Sequence, residues 1–192
     1  MTVKSVIFVL VLLLGGSLLY FAPTKERDGG YRASAGLAPD PASHPEAVVQ
    51  VYAADTWGWR GRFAVHTWIS VKRAGDNVYT VYDVVGWRQR WGRPVVGASQ
   101  DVPDRHWFGA KPQLVADLRG EQAGKLIDKV EQAVNDYPWK DEYRVFPGPN
   151  SNTFIAWIGS QVPELDLSLP FSAIGSSYIL WNRQNTPTGP AQ

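Results

Sequence analysis

The stretch FAVHTWISVKRAGDNVYTVYDVVGW, Phe63–Trp87, decides the fold. Val65, Thr67, Ile69 and Val71 alternate with His66, Trp68, Ser70 and Lys72, the period-two signature of a strand with two unlike faces. Arg73–Asn77 carry turn residues, and Val78–Trp87 is again rich in β-branched and aromatic residues, so the stretch predicts a β-hairpin. The sheet is therefore antiparallel. Working outward, AVVQVYAA (Ala47–Ala54) predicts a buried strand before the hairpin, with DTWGWRGR as a loop between them. WRQRWGRPVVGASQ (Trp87–Gln100) predicts an edge hairpin, or a loop with one short strand.

Helical patterns follow. Pro112 suits the first turn of a helix over QLVADLR, which Gly120 interrupts. From Glu121, the residues Ala123, Leu126, Ile127, Val130, Val134 and Tyr137 form one apolar stripe at helical spacing, and Pro138 closes it. YRVFPGPNSNTFIAWI (Tyr143–Ile158) delivers Asn-Ser-Asn-Thr onto a third helix, with Phe154, Trp157, Ile158 and Gln161 on one side and Pro163 as the stop. Strands followed by helices indicate α+β: one domain over 46–182, a small antiparallel sheet packed on helices. The tail 183–192 reads as disordered.

The chain has 192 residues, 44% of them hydrophobic, and nine Trp, which is ample for a core. Nineteen Lys and Arg against eighteen Asp and Glu leave +1, no electrostatic case for a nucleic-acid partner. Without cysteine there are no disulfides, thiolate metal sites or iron–sulfur clusters. SVIFVLVLLLGGSLLYFA, Ser5–Ala22, carries no charge. As a helix it would span about 27 Å, close to the thickness of a bilayer core. Residues 1–23 therefore read as a transmembrane anchor in preference to a cleaved signal, and 24–45 as a polar Gly/Ala/Pro linker. Lys4 ahead of the run places the start in the cytoplasm and the body outside it.

No phosphate-binding glycine loop, HExxH or GxSxG is present, the three histidines have no metal-ligand spacing, and no cofactor is expected. Two residues stand out. Ser151 sits at a helix amino end, where Asn150, Ser151, Asn152 and Thr153 are all good caps. The same place lends N–H groups to an oxyanion. The helix dipole is worth about 1 kcal/mol, below the 1.36 kcal/mol of a single pKa unit, so a serine there also needs a base in contact. His66, on the hairpin face opposite the apolar set, is the candidate base; the plainer reading is an ordinary strand histidine. A third group would orient it: Asp83 if position 66 pairs with 85, Tyr82 if it pairs with 84. Trp59 and Trp87, in WGWRGR and GWRQRWGR, interleave with arginine as a ligand-binding or packing surface, and Asn150 and Asn152 serve as turn formers or as donors toward a ligand.

The segments FAVHTWISV, TVYDVVGW, YRVFPGPNSNTFIAWI and VPELDLSLPFSAIGSSY resemble a bacterial domain-of-unknown-function family, numbered 3750, from about Pro45 to Tyr178. That likeness implies a bacterial, membrane-associated protein, here an inner-membrane protein with one span, and no substrate. More distantly, a strand His followed by Asn-Ser-Asn-Thr-Phe at a helix start is similar to the circularly permuted papain-like group of lecithin–retinol acyltransferase-like and cell-wall peptidase-like proteins. Their Asn-Cys-x-x-Phe element aligns with Asn150, Ser151 and Phe154, with serine where that group has its thiol. The resemblance implies either a hydrolase or acyltransferase acting on an amide or ester of a cell-wall or lipid-derived substrate, or a retained fold without catalysis, used for binding or as a scaffold.

Overall fold

The computed structural model describes residues 30 and 32–180. The expected anchor, the first part of the linker and the tail lie outside the described residues, and among those described no helix is long and apolar enough to cross a membrane. Five strands, β1 (Val48–Asp55), β2 (Val65–Lys72), β3 (Thr80–Val84), β4 (Val96–Gln100) and β5 (Gln113–Arg119), form one antiparallel sheet in the order β4-β3-β2-β1-β5. Among the described residues two α-helices follow, α1 (Gly120–Asn135) and α2 (Ser151–Gln161), and 178–180 are again helical. This is the α+β arrangement, with the sheet preceding the helices in the chain.

One expected helix is a strand. Gln113–Arg119 pairs antiparallel with β1, from Val48↔Arg119 to Ala53↔Gln113, with a shift between Val51 and Tyr52. Leu114, Val115 and Leu118 fit a helical stripe, but β1 would otherwise present an unpaired row of backbone donors and acceptors. Gly120 then reverses direction from β5 into α1 at a φ of +62°, a conformation that only glycine adopts freely.

The sheet is covered on both faces. On one, Val49, Val51, Ile69, Val71 and Val84 pack against Leu126, Ile127 and Val130 of α1 and Phe154, Ile155 and Ile158 of α2. Each such buried side chain contributes about 1.5–3 kcal/mol. On the other, Tyr52, Ala54, Trp68, Val81 and Val85 pack against Trp107 and Ala110. Part of the segment expected as a linker closes this second face: Asp104 Oδ2 accepts from the N–H groups of Leu37 and Ala38, and Tyr79 Oη donates to Pro39 O. The face that carries His66 is thus interior, which is why β1 and β2 are buried along nearly their whole length.

Candidate functional site

The entry to α2 is built by two asparagines. Asn150 Oδ1 accepts from the N–H groups of Asn152 (2.9 Å) and Thr153 (3.2 Å), while Thr153 Oγ1 accepts from Asn150 N–H, a reciprocal capping box. Asn150 Nδ2 donates to Val145 O and Ile174 O, and Asn152 Nδ2 to Val65 O and Ile174 O. Both side-chain NH2 groups therefore donate to backbone carbonyls, the arrangement of turn-forming residues. Ser151 begins the helix, 4% exposed.

The same contacts fix β2 against α2. Asn152 reaches Val65 O, and Thr67 Oγ1 lies 3.1 Å from Ser151 O and 3.0 Å from Asn152 Oδ1. His66, between these anchored neighbours, turns to the opposite face. There its ring stacks on Trp107 at 3.7 Å between centroids and 13° between planes. Trp107 stacks in turn on Trp87 at 5.8 Å. The Arg105 guanidinium lies over Trp68 and Trp107 at 5.4 and 6.0 Å.

This surrounding determines protonation. His66 is 4% exposed, and burial, aided by the Arg105 charge, holds its pKa well below the usual histidine range. The imidazole is neutral at pH 7. Its Nε2 is buried and hydrogen-bonds to nothing among the described residues.

The orienting group follows from the register. Ile69↔Tyr82 and Ser70↔Val81 place Asp83 on the face of His66 and Trp68, and Tyr82 on the helix face. Tyr82 packs with the α1–α2 core and its Oη donates to Glu131 Oε1 at 3.4 Å, so its expected role beside His66 is excluded by its side of the sheet. Asp83 is on the correct face, yet its Oδ2 accepts from Arg105 Nη2 at 2.7 Å. Burial pushes its carboxyl pKa up while Arg105 pulls it down. Among the described residues no carboxylate reaches His66 Nε2.

His66 and Ser151 nevertheless meet around one cavity of about 630 Å³. Its wall holds Trp87, Trp107, Phe108 and Tyr143, and its opening Trp57, Trp59, Phe63 and Phe146. Asn150, Asn152 and Arg60 are among its few polar members. Arg60 lies over the Trp59 ring at 5.7 Å, and Trp59 meets Phe63 edge to face. All the expected site residues except Asp83 and Tyr82 thus line one enclosure. Sequence reasoning missed Trp107, Phe108, Arg105 and Tyr143. The signal for the first three was PDRHWFG, a loop with four bulky side chains in a row and no period to assign them a face.

A family model described as "Protein of unknown function (DUF3750)" matches residues 46–178. No curated protein and no solved structure matches the chain.

Proposed function

The chain belongs to the DUF3750 family of proteins of unknown function, and we propose that it is a binding protein for a long-chain amphiphile, whose apolar portion occupies the cavity between His66 and the start of α2. One observation carries this reading: eight Trp, Tyr or Phe side chains line an open cavity of about 630 Å³, within the range of small-molecule sites. The Ser151 hydroxyl and the neutral His66 ring supply hydrogen bonding for one polar head, and Arg60 at the opening suits an acidic one.

A photoreactive long-chain acyl probe, carrying a diazirine near its tail, tests this on the full chain in lipid nanodiscs. Cross-links are expected on peptides bearing Trp107, Phe108 and Tyr143. Ala64 lines the cavity, and Ala64→Phe puts a ring into it, in the path of a bound chain, and should abolish those cross-links. Labelling unchanged by Ala64→Phe, or spread over exposed α1, would refute the reading.

A second reading is hydrolysis or acyl transfer on an ester or amide, with Ser151 as nucleophile and His66 as base. The convergence of these two residues, 85 apart in sequence, favours it, and the papain-like likeness belongs to it. Against it stands the lack, among the described residues, of a carboxylate that orients His66. Losing that partner costs about four orders of magnitude in a serine triad, and Arg105 weakens His66 further as a base. A serine-reactive alkyl fluorophosphonate separates the readings: stoichiometric labelling lost in Ser151→Ala supports chemistry, and its absence leaves binding alone.

The amino-terminal apolar run supports placing the body at a bacterial membrane, outside the cytoplasm. Reporter fusions at either terminus test the orientation.

A further inference from the structure

We propose that the opening of the cavity is a docking surface for an anionic lipid bilayer. Five side chains that line the cavity are also strongly exposed: Trp57, Trp59 at 65%, Phe63, Val145, and Phe146 at 74%. Phe171, fully exposed, extends the same surface, sharing an adjoining hollow with Phe146 and Ile174. A folded chain rarely leaves so many large apolar groups together in water. Tryptophan is the residue most at home in the headgroup region, where an apolar ring and a polar N–H are both satisfied.

Charge identifies the partner. The two loops that carry the tryptophans, 56–63 and 86–95, contain five arginines and no acidic residue, although the chain as a whole is at +1. Arg60, Arg90 and Arg93 are exposed. Arginine lays its stem along an apolar surface and its head in the polar layer, and a basic cluster with aromatic neighbours is drawn to anionic headgroups.

Chain geometry is consistent with such a partner. From Pro23 to Tyr31 only nine residues separate the uncharged run from Arg32, which pairs with Asp101. Fully extended, nine residues reach about 30 Å. If the run lies in a bilayer, the body cannot leave that surface by more than this distance, and the loop holding Asp101 continues directly into Trp107. The inference stands whether the cavity only binds its ligand or turns it over.

The absence of cysteine permits a clean test. The full chain carries a nitroxide at Gln89→Cys, in the hollow beside Trp87, Arg90 and Val145, or at Lys125→Cys on exposed α1 as the control. It is reconstituted in nanodiscs of phosphatidylglycerol with phosphatidylcholine, or of phosphatidylcholine alone. Collision with a water-soluble nickel chelate should fall several-fold at position 89 relative to 125 in the anionic discs. That protection should be lost in the Trp57→Ser/Trp59→Ser double variant, whose fold is checked by circular dichroism. Replacing Arg60, Arg90 and Arg93 by Gln should remove the dependence on anionic lipid. Equal nickel access at 89 and 125 overturns the proposal. So does equal protection in both lipids. Protection that appears only in discs carrying two copies of the chain also overturns it, because a second copy then covers the surface.

Discussion

Lowering the pH should destabilise this protein through His66. The imidazole is buried against Trp107 and beside Arg105, so the folded chain holds it neutral while the unfolded chain binds a proton near pH 6.5. Below that pH the unfolded state carries the extra proton, and stability falls as pH falls. The limiting slope is about 1.4 kcal/mol per pH unit for one proton. Integrating from pH 7 to 5 gives a loss of at most about 2 kcal/mol, reached if the folded imidazole stays neutral throughout, against the ordinary 5–15 kcal/mol of a domain. Asp83 acts in the opposite sense. Its raised pKa means that the folded state takes up that proton first, which stabilises as pH falls. A comparison with His66→Gln cancels this contribution, because both proteins retain Asp83. The assay is urea unfolding of residues 30–192, followed by tryptophan fluorescence at pH 7.5, 6.5, 5.5 and 5.0. Residues 32–39 must be kept, since they close the sheet face on which His66 lies. The wild-type unfolding free energy should fall between pH 7 and 5 by more than that of His66→Gln, the excess reaching at most about 2 kcal/mol. Parallel pH profiles would refute the neutral, buried imidazole.

Three further outcomes follow from the contacts. Thr67→Val removes the hydroxyl that holds β2 to the first turn of α2 and leaves buried acceptors unmet, so thermal unfolding should show a loss of about 1–3 kcal/mol. Asn150→Ala deletes the cap and two amide donations and should cost at least about 2 kcal/mol, the upper end for a cap alone. In Gly86→Ala the new Cβ would lie 2.6 Å from Tyr143 Cδ1. Overpacking should cost about 1–3 kcal/mol and weaken acyl-probe labelling, because Tyr143 forms part of the cavity wall.

Much of this architecture was legible in the residues because local patterns decide it. The alternation through His66 and Thr67 marks β2, the stripe from Ala123 to Val134 marks α1, and Asn150 with Thr153 marks the start of α2. The unread parts depend on distant partners. Gln113–Arg119 suits a helix until the free edge of β1 is known. Asp83 and Tyr82 could not be separated while the hairpin register was open, and one residue of slip exchanges their faces. Nothing near His66 in the sequence announces that Trp107, forty-one residues later, stacks on its ring. Residue type alone pairs Ser151 with His66. Arg105's hold on Asp83 became readable only from the folded geometry.

The account depends most on the aromatic enclosure being a ligand site, and saturable quenching of tryptophan fluorescence by dibromostearate measures that directly. Trp87 and Trp107 line the enclosure, so quenching by a bound chain should saturate at one fatty acid per protein and disappear in Ala64→Phe. Quenching that rises without saturation, or that persists undiminished in Ala64→Phe, would contradict it.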